Sequence, residues 1–177
     1  MEQVFAPWRI EWVEREGSEI DGCAFCELPS WDDATESRVV ARNERAFVLL
    51  NNYPYNPGHA MVIPFAHTGD VRNLDDETLL AQAHLEQRTI DALETAMAPD
   101  GFNTGTNLGG SAAGGSIDDH VHAHVVPRWA GDTNFMPVVS DTKVIVEAVE
   151  DSYRRLHAAF AEQDGAAVTD VETPIEF

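Results

Sequence analysis

Positive charge is what this chain has least of. Eleven Lys and Arg residues face 31 Asp and Glu over 177 positions, and the formal net charge is −20. Lysine is almost missing, with Lys143 its single occurrence. Such a field draws neither nucleic acid nor anionic membrane to the protein as a whole, so neither is expected as a partner. Two readings of the acidity stay open. One is adaptation to high salt, where ions screen self-repulsion; the other is simply an acidic, highly soluble protein. The size of the imbalance favours the halophile reading. In either case a phosphate-binding site must work against the field, through local donors that outweigh it.

Long apolar runs are also lacking. No segment reaches the ~18 apolar residues of a membrane span. The opening MEQVFAPWRIEW has neither a basic n-region nor an apolar h-region, and a cytoplasmic protein is expected. Cysteine stops at two, Cys23 and Cys26, which lie too close together to close a useful structural disulfide. With 44% hydrophobic residues the composition is otherwise that of one globular domain with a real core.

What the chain does have is HVHAHVVPRW, residues 120–129. His120, His122 and His124 alternate with Val121 and Ala123, Val125 and Val126 follow, and Pro127 ends the run. Alternation with small and β-branched residues predicts a strand. In a strand, positions i, i+2 and i+4 share a face, about 7 Å apart per two residues. Three imidazoles on one face suit nucleophilic and proton-transfer chemistry, or metal ligation. A solvated sheet face is the plain alternative.

Taken in order, residues 7–16 predict a short helix with Pro7 in its first turn, where Trp8 and Trp12 share a packing face. Cys23 and Cys26 have the C-x-x-C spacing of a zinc knuckle or a redox pair, or are two reduced thiols; zinc would need two further ligands. Residues 38–42 and 46–50 predict a hairpin around Asn43-Glu44. Asn, Pro and Gly crowd 51–58, a loop, and 59–64 resume a strand stopped by Pro64. The strongest helix spans 75–97, capped by Asp75 or Asp76, with Leu79, Leu80, Ala83, Ile90, Leu93 and Met97 at helical spacing and Pro99-Asp100-Gly101 at its end. Residues 101–108 read as a weaker strand. The glycine-rich 109–116, GGSAAGGS, is either an amide nest for an anion or a flexible connection, and its place before the histidines favours the phosphate loop. Asp118 and Asp119 are adjacent and would point apart in a strand, which makes them a poor chelating pair. A second helix is predicted over 142–163, with Val144, Val149, Leu156 and Phe160 apolar. The acidic tail, 164–177, has no clear period and reads as disordered or packed on a partner chain. No repeat or boundary divides residues 1–163.

The run HVHAHVVP resembles the signature of the histidine triad (HIT) superfamily, with Ala123 smaller than the usual residue. NNYPYNPGHAMVIPFAH (51–67) and DTNFMPVV (132–139) are similar to its dinucleoside-polyphosphate branch, the Fhit-like hydrolases and diadenosine tetraphosphate phosphorylases. The resemblance extends over residues 5–160 and implies an α+β, HIT-like fold: about five antiparallel strands and two main helices, the longer against a sheet face. It implies that the middle histidine, His122, attacks the α-phosphorus of a nucleotide and forms a covalent nucleotidyl-histidine, later released to water or phosphate. His124 would then bind the phosphate or leaving group, and His120 would complete the triad. The resemblance places Asn51 at the nucleotide ribose, although a turn asparagine satisfying its own backbone is the alternative. It places Asn107, Gly115 and Ser116 at the phosphates and His59 as a supporting histidine facing the core. It implies a structural zinc on Cys23, Cys26, His67 and His120, tying a knuckle at 18–30 to the triad segment 109–124, and a homodimer. The functional alternatives are a Hint-like nucleoside phosphoramidase or adenylyl-hydrolase, and a nucleotide-binding regulatory module with little turnover.

Overall fold

The computed structural model describes residues 22–109, 112–113, 117–132 and 147–177. The helix expected over 7–16 and the first residues of the one expected over 142–163 lie outside these.

Apolar, β-rich runs build the middle of the sheet. Strands β1 (Val39–Arg42) and β2 (Ala46–Leu50) form the expected hairpin. Asn43 closes its turn, with Oδ1 accepting from the N–H groups of Arg45 and Ala46. Strand β3 (Ala60–Pro64) pairs antiparallel with β2 and is buried along its length. Strands β4 (Gly101–Thr106) and β5 (Ala123–Arg128) pair antiparallel, and β5 lies between β4 and β3. These are the five antiparallel strands expected. A sixth, β6 (Ile175–Glu176), joins β1 in parallel, and the order is β4-β5-β3-β2-β1-β6.

Among the described residues four α-helices accompany the sheet: α1 (Ala24–Glu27), α2 (Ala34–Ser37), α3 (Asp76–Met97) and α4 (Val149–Ala161). Asp75 caps α3, its carboxylate accepting from the Thr78 N–H at 2.7 Å. At the other end Ala98 takes a left-handed conformation just before Pro99. The helices α3 and α4 bury Leu85, Leu93, Leu156 and Phe160 against Val48, Val62 and Val125 on one sheet face. The opposite face carries Val39, Phe47, Leu49, Met61 and Ile63, and Phe25 of α1 packs there.

Two expectations are corrected. Leu79, Leu80 and Ala83 are exposed; the inner stripe of α3 is Thr78, Gln82, Leu85, Thr89, Ala92 and Leu93. Its polar members are satisfied in place: Gln82 Nε2 donates to the Val62 carbonyl at 2.9 Å, and the Thr89 hydroxyl to the Leu85 carbonyl at 2.7 Å. Buried polar groups with partners cost little, so the helix settles in this phase. The tail, read as disordered or as packing on a partner chain, folds back on its own sheet instead. Ile175 is fully buried, the Phe177 N–H donates to the Arg42 carbonyl at 3.0 Å, and the Tyr153 hydroxyl and His157 Nε2 of α4 donate to the carbonyls of Val171 and Thr173. Two residues suffice for a strand when side chains of a neighbouring helix fasten its approach, and no hydrophobic period is needed.

Candidate active site and metal centre

The regular strand begins at Ala123, so His124 alone of the three histidines lies within it; His120 and His122 lead into it. The alternation nevertheless sorts the faces as expected. Val125 enters the helix-side core, and His124 lies opposite Met61, whose side chain belongs to the other face. The His122 and His124 rings are 4.9 Å apart, edge to face. His120 turns away toward the cysteines, with Nδ1 3.3 Å from Cys23 Sγ.

Each ring has a different partner, and the partners dictate different tautomers. The Tyr55 backbone N–H donates to His59 Nδ1 at 3.1 Å, so the His59 proton sits on Nε2. That nitrogen is 2.9 Å from His124 Nδ1, which must therefore accept, and the His124 proton is left on Nε2. His122 is arranged the opposite way. Its Nδ1–H donates to the His120 carbonyl at 3.0 Å, so Nε2 carries the lone pair. His120 Nε2–H donates to the Pro64 carbonyl at 2.8 Å, which leaves its Nδ1 lone pair facing the sulfurs. The three rings thus differ: His124 keeps a proton on Nε2, His122 a lone pair on Nε2, and His120 a lone pair on Nδ1 toward the sulfurs. Burial pushes the pKa of His122 below its ordinary value, against the opposing pull of the His120 carbonyl, and favours the neutral ring that attack requires. His120 is lowered in the same direction, again chiefly by burial.

Cys23, Cys26, His67 and His120 bring one ligand atom each to within 4.8 Å of one another. His67 Nδ1 lies 3.3 Å from Cys26 Sγ. Two sulfurs and two imidazole nitrogens at this spacing fit a tetrahedral divalent metal of the zinc type. His120 is oriented from behind by the Pro64 carbonyl, and the Asp119 carboxylate stands 3.8 Å from His67 Nε2, beyond direct hydrogen-bond length. Carbonyls and carboxylates in that position are the usual outer support of metal-bound imidazole. The two ligand segments meet through backbone: the Val121 N–H donates to the Thr68 carbonyl at 2.7 Å. Gly69 permits this approach, because a Cβ there would stand 2.4 Å from the Asp118 carbonyl oxygen.

The loop 51–59 carries the second support. Asn51 is a turn residue: its Oδ1 accepts from the Tyr53 N–H at 2.9 Å. Gly58 has φ +75°, and a Cβ there would meet Met97 Sδ at 2.6 Å, so glycine lets the loop lie on α3 and turn His59 inward. Asn56 fastens the loop to the strand end, its Nδ2 donating to the Pro127 carbonyl and to the Asp132 carboxylate, both at 2.8 Å. The Arg128 guanidinium, bonded at 2.6 Å, holds the Asp132 carboxyl well below the usual carboxylate range. Asn56→Ala would strand a buried carbonyl. The expected result is a loss of ~1–3 kcal/mol in unfolding free energy by urea titration; a loss below ~0.5 kcal/mol would show that this latch is redundant.

Of the residues named from sequence, the fold brings Cys23, Cys26, His67, His120, His122 and His124 into one continuous cluster. Asn107 lies exposed just beyond β4. Gly115 and Ser116 fall outside the described residues. Sequence reading missed Phe25, Asn56 and Asp119. Phe25 had one signal, an aromatic placed between two candidate ligands.

Comparison with known proteins agrees with this geometry. The HIT domain model matches residues 33–131. The chain is 37% identical over 170 residues to the AP-4-A phosphorylase of Mycobacterium tuberculosis H37Rv, covering 92% of this chain and 86% of that one. The crystal structure of a Zn-bound histidine triad family protein from Mycobacterium smegmatis superposes with a TM-score of 0.63 at 30% identity, over 80% of this chain and 94% of that one. A hypothetical histidine triad nucleotide-binding protein from Sulfolobus tokodaii superposes with a TM-score of 0.61 at 27% identity, over 79% of this chain and 90% of that one. The family model and the relatives agree, and this chain belongs to the HIT domain family.

Proposed function

We propose that this chain cleaves dinucleoside polyphosphates of the diadenosine tetraphosphate kind, passing the nucleotidyl group through His122 to phosphate or water. The observation that carries the reading is the pair of opposite tautomers: a lone pair on His122 Nε2 beside a proton on His124 Nε2. In the first step Nε2 of His122 attacks the α-phosphorus. A P–N bond forms, the P–O bond to the remaining phosphates breaks, and the departing oxygen leaves as an anion that accepts a hydrogen bond from His124 Nε2–H. In the second step an oxygen of phosphate, or of a water that loses its proton to solvent, attacks the same phosphorus, the P–N bond breaks, and its electron pair returns to Nε2 of the neutral ring. The relative from M. tuberculosis is called a phosphorylase, which favours phosphate as the acceptor.

The reading extends to the surroundings. Asn51 and Asn107 would contact the ribose or phosphates, and the backbone amides of Gly115 and Ser116 would stabilise developing charge. Zinc on Cys23, Cys26, His67 and His120 would be structural; when bound it supplies rigidity, and no step of the reaction runs through it. His120 would serve the triad through its carbonyl, which fixes the His122 tautomer. We read the protein as a cytoplasmic homodimer; no helix among the described residues is long and apolar enough to cross a membrane. The excess acid suits high salt.

Product analysis with diadenosine tetraphosphate tests the assignment. A nucleoside diphosphate that appears only when phosphate is added is the expected result. Nucleoside monophosphate at an unchanged rate in both conditions would make the protein a hydrolase, and faster turnover of a nucleoside phosphoramidate would move it to the Hint-like class.

A further inference from the structure

We propose that Phe25 is the positioning residue through which the metal knuckle sets the place of the His122 ring. The proposal rests on reading His122 as the nucleophile and adds a part to that site.

Helix α1 is a single turn, Ala24–Glu27, with no side-chain cap at Cys23. One turn does not hold itself together in water. Two things hold it here. Its flanking sulfurs, Cys23 and Cys26, reach His120 and His67. Between them Phe25, 4% exposed, is driven into the sheet face formed by Val39, Phe47, Leu49, Met61 and Ile63.

From that seat Phe25 touches both kinds of histidine. Its ring lies edge-on to His120, with centres 5.6 Å apart and planes at 81°, and edge-on to His122, at 5.1 Å and 65°. Three contacts therefore bear on His122: the His120 carbonyl holds Nδ1, the His124 ring stands at 4.9 Å, and the Phe25 ring at 5.1 Å. The hydrogen bond restrains rotation about the ring's own axis, but it leaves the ring able to tilt. The phenyl edge opposes that tilt. A nucleophile displaced by ~1 Å from its attack geometry loses ~10²-fold in rate, so a side chain with no polar atom can still govern the chemical step. With Cys23 and Cys26 on either side of it, Phe25 would be fixed by a metal held on those sulfurs, and the phenyl ring in turn restrains the imidazole.

The test uses the zinc-loaded full chain and its Phe25→Ala and Phe25→Leu variants, with diadenosine tetraphosphate and phosphate as substrates. Phe25→Ala is expected to keep wild-type zinc content and a KM within about twofold, while kcat falls ~10–100-fold. Phe25→Leu refills most of the volume and is expected to recover to within ~3–5-fold of wild-type kcat. Removing zinc from the wild type by chelation should lower kcat by a similar factor, and the same treatment should add little to the loss in Phe25→Ala. Should Phe25→Ala not fold, the partial kcat loss of Phe25→Leu at unchanged KM carries the test. Wild-type kcat in the folded variants, a raised KM with kcat intact, or a full additional loss on chelation of Phe25→Ala would each overturn the proposal. His122→Ala is the control: if it retains activity, the reading of the nucleophile fails, whereas a dead His122→Ala beside a wild-type Phe25→Ala removes Phe25 alone.

Discussion

Replacing His122 by Ala is expected to lower kcat ~10⁴-fold or more, a barrier increase of ~5.5 kcal/mol. The size follows from the scheme. With His122 gone, the displacement at phosphorus can no longer be divided into two steps, and neither neighbour can take over. His120 Nδ1 faces the sulfurs and its Nε2 is occupied by the Pro64 carbonyl. His124 Nδ1 is occupied by His59, and its other nitrogen carries the proton. The same substitution should abolish the nucleotidyl adduct seen by intact mass after acid quench, and it should leave the zinc content unchanged, because His122 is not among the four metal-facing residues. Most of the activity surviving in His122→Ala would end the covalent scheme.

Cys23→Ser is expected to release zinc and to cost at least ~3 kcal/mol of folding free energy, since metal that binds only the folded chain stabilises it directly. The knuckle has little else to rely on: α1 is one turn long, and the partners of its sulfurs lie in segments distant in the chain. Metal analysis together with urea unfolding reads both effects. Gly69→Ala should act in the same direction without touching a ligand. Its Cβ collides with the Asp118 backbone and must push the His67 loop away from the segment leading to His120. Unchanged zinc in Cys23→Ser would remove the metal assignment.

Much of this was legible in the residues. The Asp75 cap and the Ala98-Pro99 stop bounded α3 to within one residue of the expected 75–97. Asn43-Glu44 marked a hairpin that is present, and the alternating histidines, read with the C-x-x-C pair, His59 and His67, named seven residues that do cluster. The phase of α3 was not legible. Leu79 and Leu80 obey the helical period as well as Leu85 and Leu93 do, and the buried stripe is seen only in the fold, where Leu85, Ala92 and Leu93 meet the sheet core and Gln82 reaches the Val62 carbonyl. The return of the tail was hidden for a related reason. Its pairing is made by backbone groups and by Tyr153 and His157, and none of these leaves a period in residues 164–177.

The chain's own order of residues was enough to determine that three imidazoles would be gathered beside a cysteine pair, because strand alternation and short-range spacing are local properties. Resemblance suggested a role for each imidazole, but which nitrogen of each ring keeps its proton was decided by the tertiary structure. A ring's tautomer is chosen by whatever faces its second nitrogen. The ring partners from elsewhere in the chain, namely the Pro64 carbonyl, the His59 ring and a sulfur 97 positions away, meet the triad only once the sheet has closed.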